Sequence, residues 1–149
     1  MASFFNVTLD TAAPGGGSIT LNGGAAYTSA QAASAVVHTS DGAQTGYQIK
    51  IWGDVDPADN VAIQATEGAS TWITPSWSSG DATQAVKLSS GDGTKTINCK
   101  IRDDVWNETT TLTDTITLDT TVPVITIQSG PDTARVSKVS GKRTVTVTW

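Results

Sequence analysis

Apolar and polar positions alternate with period two along most of the chain, and no stripe of helical spacing accompanies them, so the predicted elements are strands. The clearest run is Thr96-Ile97-Asn98-Cys99-Lys100-Ile101-Arg102, where Ile97, Cys99 and Ile101 share one face and Asn98, Lys100 and Arg102 the other. Such a strand turns one face to a core and the other to water. Tyr47-Gln48-Ile49-Lys50-Ile51-Trp52 repeats the arrangement with Tyr47, Ile49 and Ile51 inward. Val86 and Leu88 do so more briefly before Ser90-Gly91-Asp92-Gly93, where Asp-Gly supplies the positive φ of a hairpin-type turn. Upstream, Ser18-Ile19-Thr20-Leu21 opens the set and Asn22-Gly23-Gly24 closes it with a turn; Ala35-Val36-Val37-His38-Thr39 is the second strand, ended by Ser40-Asp41-Gly42. Between Gly53 and Gly80 the alternation loosens around Asp54, Asp56, Pro57 and Asp59, a short Val61-Ala62-Ile63-Gln64-Ala65 run, then Trp72, Pro75 and Trp77. One edge strand and long loops are predicted there. Thr115-Ile116-Thr117-Leu118 is the last strand of the unit.

One phrase occurs twice. Val7-Thr8-Leu9-Asp10-Thr11-Ala12-Ala13-Pro14 returns as Ile116-Thr117-Leu118-Asp119-Thr120-Thr121-Val122-Pro123. Each copy is a β-branched strand end, an Asp-Thr pair, and a proline that cannot donate to a ladder and holds its predecessor extended, as where a strand leaves one module for the next. The interval between copies suits one Ig-type sandwich of about 100 residues. The expected organisation is an N-terminal arm or linker over 1–13, a β-sandwich over 14–122, and the first strands of a second, incomplete module over 123–149. Val124-Ile125-Thr126-Ile127 and Arg143-Thr144-Val145-Thr146-Val147-Thr148-Trp149 carry the alternation in that last stretch. Two strands do not form a stable sandwich, so further sequence or strand addition by another subunit would have to complete it.

Composition narrows the chemistry. A chain of 149 residues suits one domain with a real core. The net charge of -5, with scattered Lys and Arg, argues against a nucleic-acid partner, although plain solubility explains the acidity equally well. The single cysteine, Cys99, allows no intramolecular disulfide, and its alternation with Ile97 and Ile101 makes it a small core residue instead of a nucleophile. The single histidine, His38, has no second nitrogen ligand or thiol near it in sequence and reads as a sheet-surface residue. The glycines sit between strands and no phosphate-binding loop opens a helix, so no catalysis is expected. The N-terminal residues carry no basic region or long apolar run, and no stretch approaches the roughly 20 apolar residues of a membrane span, so neither export nor membrane insertion is expected.

The segment Gly91-Asp92-Gly93-Thr94-Lys95-Thr96-Ile97-Asn98-Cys99-Lys100-Ile101-Arg102-Asp103-Asp104, with Asn107-Glu108 and the second copy of the repeated phrase, resembles the bacterial Ig-like repeat. The resemblance covers residues 91 to 123 and extends more loosely to Gly23-Gly24-Ala25-Ala26-Tyr27-Thr28 and Thr45-Gly46-Tyr47-Gln48-Ile49-Lys50. It implies an all-β, Ig-like (fibronectin III-like) antiparallel β-sandwich. It also implies a spacer or adhesion unit of the kind strung along bacterial surface proteins and the tail, baseplate and fibre proteins of bacteriophages. One departure stands out: the turn after Asp103-Asp104-Val105 carries Trp106 where the family usually has glycine.

Two constellations carry candidate chemistry. Asp103, Asp104, Asn107 and Glu108, with Asp10 or Asp119 from a linker, form an oxygen-rich set of the kind calcium takes, though the same residues are ordinary turn formers. Asp54, Asp56, Asp59 and Asn60 form a comparable cluster without calcium-loop spacing. The second set is aromatic: Trp52, Trp72, Trp77 and Trp106 are many tryptophans beside two Phe and two Tyr. One of them, Trp72 or Trp52, would be a core tryptophan, and the others would fill a subunit interface, anchor loops or stack on sugar. The expectation is a non-enzymatic bacteriophage virion protein of the tail, baseplate, fibre or capsid surface, assembled in the host cytoplasm. Its partners would be other virion subunits, further copies of itself, and a host-surface glycan. The alternative is a repeat of a bacterial cell-surface adhesin or carbohydrate-binding protein.

Overall fold

The computed structural model describes residues 8–124. Among these, eight strands form two four-stranded sheets. In the first, β1 (Ser18–Leu21), β3 (Ala32–His38), β6 (Asp81–Lys87) and β5 (Trp77–Ser78) lie in the order β1-β3-β6-β5. In the second, β2 (Tyr27–Thr28), β8 (Leu112–Leu118), β7 (Gly93–Arg102) and β4 (Gln48–Gly53) lie in the order β2-β8-β7-β4. The arrangement is an Ig-like β-sandwich, with the four-on-three strand order of the constant type and β2 added beside the last strand.

The predicted alternation sets the core. Ile97, Cys99 and Ile101 of β7, Ile49 and Ile51 of β4, and Ile116 and Leu118 of β8 are buried, and Ile19, Leu21, Ala35, Val37 and Val86 come from the first sheet. Each fully buried aliphatic side chain contributes about 1.5–3 kcal/mol relative to exposure. The inward row of β7 continues to Lys95, whose stem closes the end of the core while its ammonium donates to Ser89 Oγ and Ser90 O, both at 3.1 Å.

Two expectations change, and one is made definite. The Ser90-Gly91-Asp92-Gly93 turn does not make a hairpin: β6 pairs with β3 and β5 in one sheet, β7 with β4 and β8 in the other. Gly91 and Gly93 do take positive φ, so the local signal is sound, but neighbouring strand partners decide where the chain goes next. The one edge strand predicted between Gly53 and Gly80 is Trp77–Ser78 beside β6, and the run 61–65 forms no strand. Side chains turn the backbone instead: Asn60 Oδ1 accepts from Ala62 N at 2.9 Å and Ser70 Oγ from Gln64 N at 2.9 Å, while Ile63 drops into the core. The sandwich is also not wholly antiparallel. After a left-handed turn in which Asn22 takes φ 45° and accepts from Ser34 N, the chain switches sheets and β2 pairs parallel with β8.

The two copies of the repeated phrase share one turn, although the second begins inside β8 and Thr8 and Leu9 of the first lie in no strand. Ala12 N donates to Asp10 Oδ1 at 3.0 Å and Thr121 N to Asp119 Oδ1 at 3.1 Å, the same Asx turn at both ends of the bead. The second copy is further clamped by Asp92, which accepts from Thr120 N (2.8 Å), Thr120 Oγ1 (2.7 Å) and Thr121 Oγ1 (2.6 Å). The strands expected beyond Val124, and residues 1–7 of the arm, lie outside the described residues.

Two outcomes test this frame. Gly53 ends β4 at φ 135°, and a Cβ there would stand 2.2 Å from Thr96 O, so Gly53→Ala is expected to lose more than about 1 kcal/mol in urea unfolding. The Thr120 and Thr121 hydrogen bonds hold the Asp92 carboxyl down at about 2 from its ordinary 3.8. A depressed carboxyl stabilises the fold above its unfolded value, and that stability fades as pH falls from 3.8 through about 2. Asp92→Asn should therefore be less stable than wild type at neutral pH, with the two unfolding midpoints converging as pH approaches 2.

Candidate functional site

The solvent face of β4 and β7 is dictated by the same alternation that builds the core. With Ile49, Ile51, Ile97, Cys99 and Ile101 inward, Gln48, Lys50, Asn98, Lys100 and Arg102 must point outward. Antiparallel register sets Gln48 opposite Arg102 and Lys50 opposite Lys100. Gln48 Oε1 accepts from Arg102 Nε at 2.8 Å and Nη2 at 2.5 Å, and its own Nε2 donates to Thr74 Oγ1 at 2.9 Å. The guanidinium is thus fixed in plane. Lys100 Nζ lies 2.7 Å from Glu67 and 3.5 Å from Glu108, and the Glu67 contact, more than the Glu108 one, raises the Lys100 pKa.

Two tryptophans are brought to this fixed cation by different devices. Trp72 arrives because Ile73 and Ile49 exchange backbone hydrogen bonds of 2.8 and 2.9 Å, docking the long loop along β4. Its ring centroid lies 4.3 Å from Arg102 Cζ and 4.9 Å from Lys50 Nζ. Trp106 arrives from the turn after β7. Buried Asp103 accepts from Val105 N (2.9 Å) and Asn107 N (2.8 Å) through Oδ1 and from Asn107 Nδ2 (2.8 Å) through Oδ2. That closure puts Trp106 at φ 73°, a left-handed conformation that favours glycine, and its ring centroid 5.1 Å from Arg102 Cζ. The result is a guanidinium flanked by two indoles, with Trp106 71% exposed. Each such cation–π contact contributes about 0.5–1 kcal/mol at an exposed site, whereas a left-handed bulky residue costs about 1–2 kcal/mol.

The other two predicted tryptophans lie elsewhere. Trp52, 9% exposed, sits at the end of β4 where Gly53 N bonds Gln64 O and residue 52 bridges residue 64, so the loop covers it. Trp77 packs against the core edge-on to Tyr47, centroids 6.4 Å apart, and donates Nε1–H to Tyr47 O at 3.2 Å. Burial, then the hydrogen bond to Asp41, pushes the Tyr47 hydroxyl up to about 12.

Of the oxygen-rich set, Asp103 and Asn107 meet within one turn, and Asn107 Nδ2 also donates to Asp10 O at 3.3 Å. Asp104 lies exposed beside them, and Glu108 points to Lys100. Asp119 is separate: it follows β8 where that strand meets Gly93 at the start of β7, while Asp103 follows the far end of β7. In the second acidic cluster, Asp54 Oδ2 accepts from Thr96 N at 2.8 Å, and Asp56 pairs with Lys87 at 2.8 Å, which holds its carboxyl below the usual range. Among the described residues no three His, Cys, Asp or Glu side chains are grouped to hold a metal ion. Cys99 is fully buried and its thiol pushed up to about 12, and His38 Nδ1 lies 2.7 Å from Asp81 Oδ1 across the β3–β6 ladder.

Comparison with known families finds no match, and comparison with curated proteins finds none either. Among solved structures the chain is similar to the PKD domain of an M14-like peptidase from a Thermoplasmatales archaeon, at 19% identity and a TM-score of 0.48, over 73% of this chain and 98% of that one.

The strain at Trp106 is measurable. Trp106→Ala keeps the left-handed cost and loses the ring contact, whereas Trp106→Gly relieves the cost. The glycine variant should exceed the alanine variant by about 1 kcal/mol in urea unfolding, and equal stabilities would remove the strain argument.

Proposed function

We propose that the protein is a non-enzymatic contact module of a bacteriophage virion, a tail, baseplate, fibre or capsid-surface component, acting as a spacer or adhesion unit. The observation that carries the contact reading is the Trp72–Arg102–Trp106 arrangement: a cation held in plane by Gln48 and flanked by two indoles, one of them kept exposed in a strained backbone conformation. Trp and Arg are the side chains most enriched where binding energy concentrates. The fully buried thiol supports contact over turnover. The resemblance of residues 91–123 to repeats found in phage tails and fibres supports the virion assignment, and the identical Asx turns at both ends of the bead suit a module set between others. A second reading, a repeat of a bacterial surface adhesin, draws on the same exposed Trp106.

Cryo-electron microscopy of the natural particle, with mass analysis of the intact chain, separates the two. The virion reading expects symmetric copies on a phage particle, with the Arg102 face turned to neighbouring subunits or to the outside of the particle. A lone bead within a much longer cell-surface polypeptide would overturn it in favour of the adhesin.

A further inference from the structure

The chain leaves the sandwich along a path that the sandwich itself holds. β8 ends at Leu118, which stands opposite Gly93 in the antiparallel ladder, and continuing that register puts Asp92 opposite Asp119, one step past the last rung. There side chains take over from the backbone ladder. Asp92 accepts from Thr120 N at 2.8 Å and Thr120 Oγ1 at 2.7 Å through Oδ1, and from Thr121 Oγ1 at 2.6 Å through Oδ2. On the other side Asp119 N donates to Thr28 O of β2 at 2.9 Å, and Asp119 Oδ1 closes its own turn on Thr121 N at 3.1 Å. Residues 119–121 thus carry five hydrogen bonds while lying in no strand.

The carboxylate that holds them is itself held. Buried Lys95 donates to Ser89 Oγ and Ser90 O, both at 3.1 Å, and Ser89 N donates to Asp54 O at 2.9 Å, so the base of the turn before β7 is tied down. Gly91 and Gly93, on either side of Asp92, take φ 83° and 125°, angles open to glycine. The hydroxyl bonds to Asp92, at 2.6 and 2.7 Å, have the length of charge-assisted ones, and its carboxyl, held down at about 2, is ionised at neutral pH. The first copy of the repeated phrase lacks this arrangement. Ala12 stands where the second copy has Thr121, so one hydroxyl donor is missing, and Leu9 is exposed where Leu118 is buried. Beyond Thr121 a different cause takes over, since Pro123 holds Val122 to extended backbone.

We propose that the bead sets the direction of its own exit: residues 119–121 move with the sandwich, clamped by Asp92, and with Pro123 they carry the rigid unit five residues past the end of β8. The use of such a clamp rests on the reading of the chain as a spacer. A spacer of this kind fixes the angle at which the next segment begins, where a loose tether would supply length alone. The contrary arrangement is a chain free to turn from Leu118 onward.

The test is backbone NMR relaxation of the isotope-labelled full chain at neutral pH, read as order parameters of Asp119, Thr120 and Thr121 against those of β8. In the wild type the three are expected at about 0.85, the value of rigid backbone; in Asp92→Ala, Thr120 and Thr121 should fall below about 0.6 while the β8 amides keep theirs. A second variant, Thr120→Val with Thr121→Val, removes both hydroxyl donors without touching the turn. It should lower the same values by a smaller amount, since the bond from Thr120 N remains, and it decides the matter if Asp92→Ala fails to fold. Wild-type values already below about 0.6 would overturn the proposal. So would residues 119–121 that stay rigid in every folded variant, because the clamp would then not be what holds them. The particle map decides the virion reading separately: loose exit residues in the free chain remove the fixed direction and leave that reading standing, whereas a lone bead within a cell-surface polypeptide removes that reading and leaves the clamp.

Discussion

The inward row of β7 is the constraint on which the rest depends. Ile97, Cys99 and Ile101 are fully buried between the two sheets, and because strand side chains alternate, their burial leaves Asn98, Lys100 and Arg102 no choice of direction. A shift of one residue in register would bury two cations and expose three core side chains. The outer face is therefore as firmly specified as the core, although none of its residues is packed inside. Pairing then finishes the work: β4 sets Gln48 opposite Arg102, and one amide fixes the guanidinium plane before either tryptophan arrives.

What the sequence made legible is what period two makes legible. The strands 18–21, 47–52 and 96–102, their inward faces, the buried Cys99 and the surface His38 follow from alternation alone. Two-residue strands such as β2 and β5 are too short to carry a pattern, and their existence depends on which neighbour has a free edge. The Ser90-Gly91-Asp92-Gly93 turn shows the same limit from another side, since glycine reports a backbone angle and not the sheet in which the next strand will pair.

The candidate site was half legible. Tryptophans draw attention wherever they occur, so Trp72 and Trp106 were visible beside Trp52 and Trp77, but which pair would meet depends on the loop docked by Ile73 and on the turn closed by Asp103. Arg102, which joins them, looked like an ordinary outward strand residue. The informative feature is the backbone at position 106: a bulky side chain on a left-handed backbone has to be held by its surroundings, here by three hydrogen bonds to a buried carboxylate.

The parallel pairing of β2 with β8 has a mechanical consequence. Thr117 N bonds Ala26 O at 3.0 Å and Asp119 N bonds Thr28 O at 2.9 Å, so the two strands run the same way, one near the start of the sandwich and the other at its end. Tension on the chain entering β2 and on the chain leaving β8 would pull the two strands in opposite senses along their lengths, loading these hydrogen bonds together in shear instead of peeling them one at a time. A strand pair loaded in this way gives way all at once, and until then it keeps its length.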